Sequence, residues 1–162
     1  MNKTNFTAEG NVLRVERSFN APIDLVWRTW TEPELLDQWW APKPWKSETS
    51  YMDFSEGGHR VYAMVGPEGE KHMARTNYLS INVHEQFSGE DAFCDDEGNI
   101  NPEMPVSEFK NLFKDICKTT VVTITSKYAS EEHLQQVIQM GMKEGLSMAF
   151  ENLDKVLQKL HS

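Results

Sequence analysis

Cysteine is scarce in this chain of 162 residues: Cys94 and Cys117 are the only two, and they form no Cys-x-x-Cys pair. The N-terminal MNKTNFTAEGN has no apolar core of a signal peptide. The two thiols are therefore expected to be reduced, in a cytoplasmic protein, and to behave as small hydrophobes rather than as catalysts. Basic charge is also short. Sixteen Lys and Arg face 25 Asp and Glu, a formal net charge of −9, with no Lys/Arg run longer than a pair. Phosphate binding calls for the opposite balance, so a nucleic-acid partner is excluded. No stretch approaches the roughly 18 consecutive apolar residues of a membrane span, so no membrane partner is expected. The five histidines, His59, His72, His84, His133 and His161, offer no His-x-His, His-Glu-x-x-His or Cys/His spacing, so neither metal nor cofactor is expected. No Gly-x-Ser-x-Gly elbow and no glycine-rich phosphate loop occurs, and no residue is assigned a catalytic role.

What is present begins with tryptophan. All five indoles lie between Asp24 and Trp45, in DLVWRTWTEPELLDQWWAPKPW. Either they anchor a packed corner, each removing about 150–250 Å² from water, or they wall a binding chamber; Trp27 and Trp39 are the two expected to face inward. Around them the elements read clearly. VLRVERSF (12–19) alternates with Leu13, Val15 and Phe19 on one face. Residues 22–30 read as a short helix opened by Pro22. A second helix is expected from Thr31-Glu32-Pro33 to about Trp40, with Thr31 as its cap and Pro42 and Pro44 beyond its end.

From Trp45 to Tyr128 the pattern is strand and turn: WKSETSYMDF, HRVYAMV, HMARTNYLSI, EQFSGEDAF, a strand near Phe109–Phe113 with its turn at Asp115–Lys118, and TTVVTITSKY. Gly57-Gly58 and Gly66/Gly69 read as hairpin turns, and Asp95-Asp96-Glu97-Gly98 as a solvated turn too short to hold calcium. A Pro-bearing insert covers 99–105. Tight connections imply an antiparallel meander. Ser130 then caps one long helix from Glu131 to about Leu160, roughly 45 Å, with an apolar stripe that includes Leu134, Val137, Ile138, Met148, Ala149, Leu153, Val156 and Leu160. The whole is a single α+β domain, 1–162 with its core at about 12–160, in which that helix buries its stripe on the sheet.

This order resembles the START-like superfamily, also called SRPBCC, helix-grip or birch-pollen-allergen-like. Within it the chain is similar to the family related to the C-terminal domain of the activator of the Hsp90 ATPase. The residues that carry the resemblance are Arg17-Ser-Phe-Asn-Ala-Pro22, Val26-Trp27, Trp30-Thr31-Glu32-Pro33, Leu36, Trp39-Trp40 with Pro42, Asp53 with Gly57-Gly58, and Gly141-Met142-Lys143-Glu144-Gly145. It implies a helix-grip fold: a curved antiparallel sheet around a long C-terminal helix, with two short helices after the first strand and a cavity beneath the long helix. Arg60, Ser80 and Val83 depart from the family's pattern at their positions.

The residues expected to line that cavity are Trp27, Trp39, Arg60, Tyr62, Met64, Tyr78, Ile138, Gly141, Met142, Gly145 and Met148. Alternation puts Arg60 on the face of Tyr62 and Met64, where it either pairs with a carboxylate such as Asp53 or Glu48 or meets an anionic head group. Gly141 and Gly145 each cost about 1 kcal/mol of helix propensity relative to Ala. They mark either close helix–sheet approach or an open roof. The leading expectation is therefore binding of a small hydrophobic or amphipathic molecule. The alternatives are a module engaging a chaperone ATPase, as the resemblance implies, or a cyclase- or hydrolase-like enzyme.

Overall fold

The computed structural model describes residues 4–41, 44–104 and 106–161; Pro42 and Pro105 fall outside them. Eight strands form one antiparallel sheet in the order β1-β2-β8-β7-β6-β5-β4-β3. A hairpin of β1 (Asn5–Glu9) and β2 (Val12–Phe19) begins the chain, turning at Gly10, whose φ of +61° suits glycine. The sequence does not mark β1 as a strand: NFTAE is short and mostly exposed, and its alternation rests on Phe6 and Ala8 alone.

Helix α1 (Ile23–Thr31) follows, with Pro22 in the N-cap position, and then α2 (Pro33–Leu36). The second helix is one turn rather than a run to Trp40, and Glu32, not Thr31, occupies its N-cap. The Thr31 hydroxyl instead donates to the Trp27 carbonyl. Strands β3 (Lys46–Met52), β4 (His59–Val65), β5 (Lys71–Asn82) and β6 (Gln86–Phe93) fall where alternation predicts. β7 (Ser107–Ile116) is longer than expected because it pairs along its whole length with β8 (Thr119–Tyr128). Their turn is Cys117-Lys118, both at positive φ.

The final helix is two helices, α3 (Glu131–Gln139) and α4 (Met142–His161). Ser130 caps α3 as expected, accepting from the His133 amide. The break falls at Gly141, whose φ of +93° no α-helix accommodates. Gly141 is therefore a breaker between two helices, not a gap in the stripe of one. Helices α1, α3 and α4 cover one face of the sheet and bury Phe19, Val26, Trp39, Leu134, Phe150 and Leu153 almost completely. A bidentate pair from buried Arg17 to Asp154, 2.7 Å at each nitrogen, ties β2 to α4. No helix among the described residues is long and apolar enough to cross a membrane.

Candidate functional site

The covered face of the sheet divides into a filled part and an open part. At the α1 end, rings close the space. Trp39 is fully buried, donates its indole N–H to the Thr29 carbonyl at 2.8 Å, and packs on Trp30, Trp40 and Phe150. Trp27 packs edge-on against Phe54, His84, Phe87 and Phe113. These two indoles are core anchors and line neither of the two cavities beyond them.

Beyond the rings lies a chamber of about 170 Å³, floored by side chains that strand register places in cross-strand rows. The first row is polar: Arg60 stands opposite Thr76, Thr76 opposite Asp91, Asp91 opposite Ser107, and Ser107 opposite Tyr128. The next row, Tyr78, Gly89, Phe109 and Ser126, is mostly apolar. Gly89 has a specific reason: an added methyl would meet the Asn77 carbonyl and the Phe109 ring. The third row sets Phe87, Asn111, Ile124 and Val15 side by side. Trp30, Leu36 and Trp40 from the N-terminal helices and the turn after them, with Met142 and Leu146 from α4, complete the walls.

A second cavity, about 180 Å³, opens on the other side of the polar row. Tyr62, Met64 and Ala74 line it from the sheet and Val137 from α3, and it shares Asp91, Ser107 and Tyr128 with the first. Each by itself is smaller than the roughly 300 Å³ at which drug-sized pockets begin, and the three shared residues stand between them. Each helix faces its own cavity, and the break at Gly141 lies between Val137 and Met142.

The electrostatics of the row are unequal. Arg60 is 3% exposed: its Nε donates to Thr49 and its Nη2 to Ser47 and Asp37, at 3.1–3.3 Å, and it lies 3.9 Å from the Tyr62 ring centre. Its carboxylate partner is Asp37, just after α2, and not Asp53 or Glu48, both of which are exposed. Asp37 also accepts from Ser47 and Thr49, which fixes β3 against α2. Asp91, by contrast, accepts from the Thr76 hydroxyl at 2.6 Å and has no ion-pair partner among the described residues. Burial, opposed by that hydrogen bond and by Arg60, raises its carboxyl to about 6. Burial likewise pushes Tyr62 up to about 12 and lifts Tyr78 and Tyr128 above their ordinary values. All three phenols are neutral donors at physiological pH.

Of the residues expected at the cavity, Arg60, Tyr78 and Met142 line the first chamber and Tyr62 and Met64 the second. Ile138 packs on the core and lines neither. Gly145 is half-buried in α4, its amide donating to the Gly141 carbonyl, and the lining side chain there is its neighbour Leu146. Met148 is 43% exposed, on a face of α4 turned from the sheet. Thr76, Asp91, Ser107, Asn111 and Tyr128 escaped the sequence reading. Their signal was a polar residue at an inward position of a strand, as in SEFKNLF, where Ser107 and Asn111 alternate in phase with Phe109 and Phe113.

Residues 20–158 match the family model of Activator of Hsp90 ATPase homolog 1-like protein. Among solved structures, a protein of Arthrobacter aurescens is 29% identical, with a TM-score of 0.89 over 97% of this chain and 91% of its own. Protein Ms6760 of Mycobacterium smegmatis is 31% identical, with a TM-score of 0.86 over 96% and 95%. A Staphylococcus epidermidis protein is 26% identical, with a TM-score of 0.86 over 96% and 94%. Comparison with curated proteins returns no match.

Proposed function

The chain belongs to the family of Activator of Hsp90 ATPase homolog 1-like proteins, and on that footing we propose that it is a cytoplasmic binding domain for a small amphipathic molecule. The sheet, curved around α3 and α4, holds the guest against the polar row. The observation that carries this reading is the chamber itself, about 170 Å³ of space with an apolar wall and a polar floor. A protein core ordinarily closes voids of this size, because an unfilled cavity destabilises by roughly 24 cal/mol per Å³. A dry apolar cavity of about 150 Å³ already takes benzene. In this reading the chain is a binder, not an enzyme, and its guest leaves with the mass with which it entered.

The test is native mass spectrometry of freshly purified protein beside a thermal-shift titration with ethylbenzene. The expected result is a retained small molecule or a rise in melting temperature that grows with probe concentration. Leu146→Trp, which fills the chamber from α4, should fold and lose the response. A wild-type protein that carries no guest and shows no shift with ethylbenzene would sink the reading.

The family match favours a second reading, engagement of a chaperone ATPase, since that is what the family's description names. Taken alone, the comparisons support this reading more directly than the first. It predicts that the chain raises the ATP turnover of an Hsp90-type chaperone, and that Leu146→Trp raises it equally. Stimulation abolished by filling the chamber would join the two readings into one.

A further inference from the structure

Two residues that line the first chamber each carry a buried polar atom with no hydrogen-bond partner among the described residues: the Trp30 indole N–H and Asn111 Oδ1. Trp30 is 3% and Asn111 5% exposed, so bulk water does not satisfy them. One is a donor and the other an acceptor, and an orphaned buried group typically costs 1–3 kcal/mol. A hydroxyl answers both, because it accepts and donates at one atom.

The opposite end of the chamber is Asp91. Among the described residues, Arg60 and Asp91 are the only charged side chains lining the two cavities, and Arg60 is already paired with Asp37. Facing Asp91 are Thr76 and Tyr78 from β5, Ser107 from β7, Tyr128 from β8, Arg60 and Tyr62 from β4, Val137 from α3 and Met142 from α4. Apart from the engaged Arg60, every polar group among them is neutral. The unmatched charge of the chamber is negative.

Asn111 lies four residues along β7 from Ser107, the residue opposite Asp91. At a rise of about 3.3 Å per residue the two poles stand about 13 Å apart. A hydrogen bond of about 2.8 Å at each end leaves roughly 7–8 Å for the guest. Between the poles lies the row of Tyr78, Gly89 and Phe109, and Phe87 stands beside Asn111.

We propose that the chamber takes an aryl-alkyl amine bearing a hydroxyl at its far end, with the ammonium on Asp91, the ring over Tyr78 and Phe109, and the hydroxyl between Trp30 and Asn111. An anionic guest at Arg60, one of the two alternatives raised by the sequence, fits less well, because Arg60 is already paired with Asp37. The proposal rests on the ligand-binding reading above and deepens it.

The probes are tyramine, phenethylamine, ethylbenzene and 3-(4-hydroxyphenyl)propionate, titrated calorimetrically into the full chain at pH 7.5 and pH 5. Tyramine is expected to bind about tenfold or more tighter than the propionate, and phenethylamine about tenfold or more tighter than ethylbenzene. Asp91→Asn should remove the amine preference and leave ethylbenzene unchanged. Asn111→Leu should erase the advantage of tyramine over phenethylamine. Wild-type amine binding should weaken from pH 7.5 to pH 5 as the Asp91 carboxyl, held near 6, takes up its proton; this arm needs no variant to fold. Tyramine and the propionate binding alike, or tyramine no tighter than phenethylamine, overturns the proposal while ethylbenzene binding keeps the chamber reading intact. Failure of every probe, ethylbenzene included, overturns both.

Discussion

Trp39 and Asp91 face the same interior from different parts of the molecule. Trp39 has no exposed surface, a satisfied N–H and rings on three sides. Asp91 is half-buried, accepts one hydroxyl and borders two cavities. Burial of the first adds directly to stability, at roughly 25 cal/mol per Å² of apolar surface. Burial of the second subtracts, because a carboxylate leaves water without a counter-charge. The difference teaches that this fold concentrates its packing at the α1 end so that the middle of the sheet can stay open and polar. Four of the five indoles make sense as the filled counterpart of a chamber, with Trp30 and Trp40 standing at the boundary as its wall, while Trp45 stacks on His72 away from it.

The largest effect expected is at the filled end. Trp39→Ala should cost about 3–5 kcal/mol, the usual loss for a buried Trp or Phe truncation, and it also frees the Thr29 carbonyl. Leu146→Ala, at the chamber wall, should cost less than half as much, because half-buried Leu146 already borders empty space and its removal strips fewer contacts. Urea unfolding of both variants measures the contrast. Equal losses would break it, since they would mean that α4 packs as tightly over the polar row as the rings do over one another.

Next in size is the pH dependence set by Asp91. Its folded carboxyl titrates near 6, above the usual 3.9 or so of an unfolded Asp. Between about pH 4 and 6 the folded protein therefore binds more protons than the unfolded chain. Its stability falls as pH rises through that window and stays lowered above it. The deficit is of order 1–3 kcal/mol at neutral pH. Asp91→Asn keeps an acceptor for the Thr76 hydroxyl and removes the charge. It should be more stable than wild type at pH 7.5, with the advantage shrinking towards pH 4. A variant less stable than wild type at pH 7.5 would mean that Asp91 has a counter-charge and belongs with the solid core.

How much of this was legible follows from particular residues. The strand-rich runs HRVYAMV and TTVVTITSKY sufficed to place β4 and β8, although β4 buries both faces from Arg60 to Ala63. The inward face of β2 was legible because Leu13, Val15 and Phe19 alternate with more exposed neighbours. The polar row was not. It exists only because five strands align Arg60, Thr76, Asp91, Ser107 and Tyr128, and that register depends on turns and on irregularities such as the shift between Tyr78 and Ser80. A one-residue slip would turn those side chains outward. Asp37 as the partner of Arg60 was hidden for a related reason: the two are 23 residues apart and meet through the packing of α2 on β3. Met148 looked inward because the apolar period of α3 was extended through Gly141 into α4, although the break resets the helical phase.

The two glycines of the final segment give the smallest effects and the sharpest contrast, because the same substitution should act with opposite sign four residues apart. Gly141 adopts φ +93° and has no close neighbour, the nearest atom to an added methyl being a Glu144 carboxylate oxygen at 3.8 Å. Space is therefore not its constraint; backbone conformation is. Gly141→Ala should cost about 1–2 kcal/mol, the penalty of a left-handed conformation for an L-residue. Gly145 sits inside α4, its amide already in a helical bond to the Gly141 carbonyl, and the chamber is lined by the next residue. Gly145→Ala should gain up to about 1 kcal/mol from helix propensity. Gly141 thus serves the division of labour in which α3 covers the cavity of Tyr62 and Met64 and α4 covers that of Tyr78 and Phe109. Denaturant unfolding of both variants, with ethylbenzene binding measured on each, carries the test. A stabilised Gly141→Ala would mean one continuous helix spanning both cavities, and the separation of the two helices over the polar row would then be lost.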